Sequence, residues 1–145
     1  MTNKTDGTLI AQLSINLAAA TRLLGITEDH ARDRDVAVSI AVVDHGGHLV
    51  AFRRMDEAYP GSVDAAIGKA RSCAAFRTPL STFGKIARKE PWLGDLPGLI
   101  PLGGAVPLWT GGQDGGEFVG AISVSGDTEE SEQALAEQAA HAFAP

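Results

Sequence analysis

Seven polar side chains able to do chemistry crowd into one short stretch: Asp44, His45, His48, Arg53, Asp56, Ser62 and Lys69. The imidazoles at 45 and 48 offer nitrogen ligands or groups that titrate near neutral pH. Arg53 and Asp56 follow a strand-like run and set a cation beside an anion, which suits the orientation of a carboxylate. Ser62 and Lys69 are seven residues apart and share one helical face, two turns from each other. With Ala65, Ala66 and Ala70 small around it, Lys69 is placed to enter a shallow cavity and take a depressed pKa. Carboxylate binding, general acid–base work or a Schiff base would then be open to it. Each group also has a plainer reading. Asp44 can bond the backbone of its own turn, His45 and His48 can be solvated, and Arg53 with Asp56 can be an exposed ion pair. Ser62 reads better as a helix cap than as a nucleophile, since no base is paired with it. Cys73, one turn beyond Lys69, reads as an inert buried thiol, and His30 and His141 as surface or interface histidines on helices.

These side chains must be positioned by the elements around them. Val36–Val43 is almost wholly apolar and β-branched, which predicts a central strand. An Asp-His-Gly-Gly turn leads to its antiparallel partner, Gly47–Met55, forming a hairpin. A helix is predicted from Ser62, as cap, to Phe76, with Asp64 in its first turn and Val63, Ile67, Ala70 and Ala74 as an apolar stripe. A shorter helix follows over Ser81–Lys89. The 90–102 loop carries Trp92, Leu93, Leu96, Leu99 and Ile100, too apolar for a free surface loop, and is expected to lid a pocket or meet a neighbouring subunit. Ala105–Thr110 and Glu117–Val124 form a second hairpin around a glycine-rich turn. Asp127-Thr-Glu-Glu130 reads as a capping box opening a last helix to about Phe143. Near the N-terminus, Ser14 is a plausible cap for a helix from Ile15 to Leu24, which either ends at Gly25 or continues through it to Arg34. Leu9–Leu13 is a candidate edge strand. The order predicts an α+β domain of helices packed on an antiparallel sheet.

Composition bounds the function. The chain has 145 residues, enough for one domain with a real core, and its net charge of −6 is spread without any basic block. Nucleic acid and anionic membrane are therefore poor partners. One cysteine permits no internal disulfide, no stretch is long and apolar enough to span a membrane, and the N-terminus is polar. A cytoplasmic location is expected. No metal-ligand cluster, nucleophile elbow or phosphate loop is present in the sequence, and the glycine-rich 103–116 region leads into strands rather than a helix.

The segments Ser39-Ile-Ala-Val-Val-Asp44, Gly46-Gly-His48-Leu-Val-Ala-Phe52, Arg54-Met-Asp56, Gly61-Ser62, Lys69-Ala70, Pro101-Leu-Gly-Gly-Ala-Val-Pro107 and Val119-Gly-Ala-Ile-Ser-Val-Ser-Gly126 together resemble the GlcG/HbpS-like family. That family is also called haem-degrading or haem-binding, and it includes the C-terminal domain of PduO-type proteins. The match runs over roughly residues 14–143, leaving 1–13 as a tail with its possible edge strand and 14–145 as a single domain. The resemblance implies a profilin-like α/β/α fold with a five-stranded antiparallel sheet and assembly into homo-oligomers, often octamers. It also implies a small-molecule ligand. With haem or a related tetrapyrrole, His45 or His48 would approach iron, and Arg53 or Lys69 would hold a propionate, beside Asp44. The alternative is a cofactor-independent enzyme in which Lys69, Asp56, Arg53 and Ser62 bind a small carboxylated metabolite and move protons. Two features sit off the family's pattern: His45, and the run Arg71-Ser72-Cys73.

Overall fold

The computed structural model describes residues 7–111 and 116–143. Helix α1 (Leu17–Asp33) is followed by strands β1 (Ser39–Asp44) and β2 (Leu49–Arg54) and helices α2 (Gly61–Phe76) and α3 (Leu80–Lys89). A 3-10 turn over Pro91–Asp95, strands β3 (Ala105–Trp109) and β4 (Phe118–Ser125) and helix α4 (Glu129–Ala142) complete the chain. The strands form one antiparallel sheet in the order β2-β1-β4-β3. Among the described residues it has four strands, not the five expected. The candidate edge strand Leu9–Leu13 is not formed, and Leu9, Ile10 and Leu13 are exposed. Further on, the Ile15 amide donates to the Val119 carbonyl and joins the chain to the sheet.

Strand alternation divides the core in two. Ile40 and Val42 of β1, with Val106, Leu108, Ile122 and Val124, face α1 and α4 and pack on Leu23, Leu24, Leu135 and Ala139. Ala41 and Val43, with Ala105 and Ala121, face α2 and pack on Ala66, Ala70, Cys73 and Ala74. Alanines on both sides of that second contact let α2 lie close to the sheet. β1 and β4, the central strands, have burial on both faces, as an uninterrupted apolar run requires.

Helix boundaries follow the capping chemistry with three shifts. α1 starts later than expected, capped by Asn16, whose side chain accepts from the Ala19 amide, and it runs straight through Gly25. α4 is capped by Thr128 rather than Asp127, its hydroxyl accepting from the Ser131 amide. α2 begins at Gly61 after Pro60 with no side-chain cap, so Ser62 does not serve as one. α2 ends before Pro79 because Arg77 adopts left-handed geometry at φ 50°. The 90–102 segment folds against the domain: Leu93 and Leu99 are buried, while Trp92, Leu96 and Leu102 remain exposed. In the second hairpin, turn residues 112–115 lie outside the described residues.

Candidate functional site

The first hairpin is closed by Asp44. Its carboxylate accepts the amides of Gly46 (3.0 Å) and His48 (2.9 Å), and Gly47 takes the positive φ (83°) that the turn demands. The turn thereby holds His45 and His48 on the outer end of the sheet, over the C-terminal half of α2. The His45 amide is fixed by the Ser14 hydroxyl, and its ring sits edge-on to Phe118 with centroids 5.3 Å apart. Arg77 closes the same corner. Its guanidinium lies 4.9 Å from the centre of the Phe118 ring and 3.5 Å from His45 Nε2.

A cleft of about 550 Å³ opens between these groups, lined by His45, Gly46, Gly47, His48, Arg71, Ala74, Ala75 and Arg77. Two imidazoles and two guanidiniums face a floor of small residues. Arg71, Ala74 and Ala75 fall at helical spacing, so one stripe of α2 supplies both a cation and the flat wall. Arg71 and Arg77 were not among the candidates from sequence. The i, i+3, i+4 spacing of Arg71 with two alanines is the signal that marks this face.

Lys69 stands midway along α2, on the face it shares with Ser62 two turns earlier. It is buried at 3 % exposure, and its Nζ donates to three acceptors: the carbonyls of Gly103 (3.0 Å) and Val124 (2.7 Å) and Glu132 Oε1 (3.1 Å). Burial pushes its pKa down, opposed by the Glu132 carboxylate beside it. Glu132 in turn accepts the Gly126 and Asp127 amides on Oε2. Ser62 Oγ donates to the Tyr59 carbonyl (2.6 Å), so the 2.7 Å contact with Ser39 Oγ has Ser39 as donor. Ser62 and Lys69 both line a second, larger cleft, together with Ala65, Ile100, Leu102, Ser125 and Glu132.

Arg53 and Asp56 are placed elsewhere. Arg53 pairs in register with Ile40, on the face toward α1, and bonds Glu28 Oε1 at 3.0 Å. Asp56 is exposed and lines a separate hollow with Arg32 and Asp35. The seven candidates thus divide into three locations: Asp44, His45 and His48 at the hairpin tip, Ser62 and Lys69 in the second cleft along α2, and Arg53 and Asp56 on the α1 side. Cys73 is buried, its Sγ donating to the Thr78 carbonyl, and burial raises its pKa further from reactivity. Among the described residues no group of three His, Cys, Asp or Glu is arranged to hold a metal ion, and no helix is long and apolar enough to cross a membrane.

Residues 15–141 match the model of the family described as haem degrading protein HbpS-like. An uncharacterized 15.0 kDa protein from the dhaT-dhaS intergenic region of Citrobacter freundii is 31 % identical over 135 residues, covering 90 % of this chain and 92 % of that one. Protein GlcG of Escherichia coli K12 is 32 % identical over 107 residues, 73 % of this chain and 77 % of its own. The crystal structure of a Streptomyces reticuli HbpS double mutant superimposes with a TM-score of 0.82 at 29 % identity, over 98 % of this chain and 94 % of that one. The chain belongs to the HbpS-like family.

Proposed function

We propose that this HbpS-like protein binds haem or a related tetrapyrrole reversibly, in the cleft between the first hairpin and the C-terminal half of α2. One observation carries the reading: both hairpin histidines and two arginines, Arg71 and Arg77, border a single open cleft floored by Ala74 and Ala75. The donor set fits the group. An imidazole is the commonest protein nitrogen ligand for haem iron, guanidiniums pair well with carboxylates such as propionates, and small residues leave room for a flat ring. The family's description as haem-degrading agrees with this chemistry. Bound haem supplies a redox-active iron; the chain's own part is to bind and orient it. His45 is the better ligand candidate, because its backbone is tied to Ser14 and its ring is seated on Phe118, whereas the His48 side chain is 83 % exposed. Arg71 and Arg77 replace Arg53 and Lys69 as the propionate partners, since those two are engaged with Glu28 and Glu132 away from the cleft. Self-assembly into homo-oligomers belongs to the same reading and would lengthen the walls of an open cleft.

The test is a haemin titration followed by absorbance. A saturable, stoichiometric Soret shift is expected, lost in His45→Ala, retained in His48→Ala, and weakened about tenfold in each of Arg71→Ala and Arg77→Ala, the loss of one charge-assisted contact. Unsaturable binding, or binding indifferent to all four substitutions, would sink the reading.

The enzymatic alternative, acid–base chemistry on a small carboxylated metabolite, draws on the shared cleft of Ser62 and Lys69. It is the weaker reading. All three Lys69 donors are engaged by protein acceptors, and Arg53 and Asp56 lie on the α1 side.

A further inference from the structure

The larger cleft, of about 760 Å³, lies toward the N-terminal end of α2 and shares no residue with the histidine cleft. Its volume is that of a small-molecule site. Ala65, Ile100 and Leu102 supply apolar wall, and exposed Tyr59 stands at the rim. The buried polar groups of the lining are nearly all committed to protein partners. Lys69 has its three acceptors, Glu132 holds Lys69 and two backbone amides, and Ser62 bridges Ser39 and Tyr59. Glu129 takes the Gly103 amide and Arg88. The exception is Ser125. It is 3 % exposed, it lines the cleft, and its Oγ has no hydrogen-bond partner among the described residues. A buried hydroxyl left unpaired opposes folding, and a ligand atom would relieve it.

Charge then narrows the ligand. Asp127, Glu129 and Glu132 outnumber Lys69 in the lining, so an anion is repelled, and the Lys69 ammonium has no N–H left to offer one. A cationic head on Ser125 would be drawn close to Lys69, which donates to the carbonyl of the preceding residue, Val124. An uncharged head avoids both conflicts.

We propose that this cleft is a second binding site, for a small uncharged molecule with an apolar body and a hydroxyl or carbonyl head that bonds Ser125 Oγ. Three probes built on one ring separate the possibilities: cyclohexanol, cyclohexylamine and cyclohexanecarboxylate, titrated into the 15N-labelled protein. Cyclohexanol is expected to give saturable shifts at the amides of Gly103, Ser125 and Gly126, and the charged probes at least threefold weaker ones. Affinity for cyclohexanol is expected to fall at least threefold in Ser125→Ala and to vanish in Ala65→Phe. Ser125→Ala removes only an unpaired hydroxyl and Ala65 is exposed, so both variants should fold. Haemin binding is expected to be unchanged in both, which lets this site and the histidine cleft fail separately. The proposal is overturned if cyclohexanol gives no saturable shift, if either charged probe binds as well as cyclohexanol, or if Ser125→Ala leaves the affinity unchanged. It is equally overturned if these amides shift with protein concentration alone, since a second copy of the chain would then fill the cleft.

Discussion

Lys69 Nζ and Glu132 Oε1 are 3.1 Å apart although one belongs to α2 and the other to α4, helices on opposite faces of the sheet. They meet where β3 begins and β4 ends, and there the Gly103 and Val124 carbonyls complete the ammonium's shell. This contact ties the two helical layers together around the end of the sheet. Both side chains are mostly buried, at 4 % and 12 % exposure. Removing one partner strands the other charge, which costs about 3–5 kcal/mol for a buried pair. Lys69→Met is therefore expected to lose stability of that order in urea unfolding. Lys69→Met/Glu132→Gln should recover part of the loss, because neither charge is then orphaned. Equal stability of wild type and Lys69→Met would mean the pair ties nothing.

Arg53 does a different job. Its partner Glu28 also binds Arg32 within α1, and these two guanidiniums hold the Glu28 carboxyl below its ordinary value of 4.5, Arg32 more strongly. A carboxyl whose folded pKa is depressed adds stability that is fully present above its unfolded value. That stability is lost as pH falls through the lowered one. Arg53 is 37 % exposed, so solvent screening limits its bridge to about 0.2–1 kcal/mol. Glu28→Gln should thus flatten the stability profile below about pH 4.5 and leave haemin binding untouched. A loss of haemin affinity in Arg53→Ala would place the propionate partner on the α1 side instead.

Much of this arrangement was legible in the chain. Both hairpins, the apolar central strand and the long helices follow from local period and turn chemistry, which need no knowledge of distant residues. Site partners are a different matter. Lys69 and Glu132 are far apart in sequence, and nothing near either announces the other. Arg53 and Arg54 differ by one residue and so project to opposite faces of β2. Which face holds a pocket depends on where α1 and α2 pack, and the sequence around them does not state that. The expected Ser62 cap failed for a local reason: Pro60 starts the helix earlier, and the hydroxyl turned to the Tyr59 carbonyl. Arg77 escaped notice because left-handed geometry in an arginine has no local signature.

That geometry gives Arg77 its own test. A non-glycine residue at φ 50° holds strain, and glycine there relieves about 1 kcal/mol. The guanidinium stacked on Phe118 returns about 0.5–1 kcal/mol. Arg77→Gly is therefore expected to unfold near the wild-type midpoint, while Arg77→Ala, which keeps the strain and loses the stack, falls by about 1 kcal/mol. Both should weaken haemin binding alike. A stable Arg77→Gly with wild-type haemin affinity would remove Arg77 from the proposed site.

Asp44 supports the same site from beneath. Its carboxylate satisfies two turn amides, so Asp44→Ala should cost about 1–2 kcal/mol, like the loss of a helix cap. Because the His48 amide is one of the two, the turn bearing both histidines should loosen. Haemin affinity is expected to fall together with slower saturation, while Asp44→Asn, which keeps one acceptor oxygen, should lie between. Unchanged hydrogen exchange at Gly46 and His48 in Asp44→Ala would contradict this.

Gly104 sets the tightest limit on the junction between the layers. Its φ of +106° is one that side chains rarely adopt, and a Cβ there would lie 2.5 Å from Lys69 Nζ, 2.8 Å from the Val124 carbonyl and 3.0 Å from Glu132 Cβ. Two of those neighbours are the ammonium and one of its own acceptors, so the methyl group would enter the cage that binds Lys69. Gly104→Ala should cost more than about 3 kcal/mol, combining strain with the broken cage. Trimming the lysine does not help, because the Val124 carbonyl is backbone and cannot move without opening the β1–β4 pairing. The double variant Gly104→Ala/Lys69→Ala is accordingly expected to be no more stable than Gly104→Ala alone in urea unfolding. Recovery in that double variant would show that the lysine, not the sheet backbone, imposes the glycine.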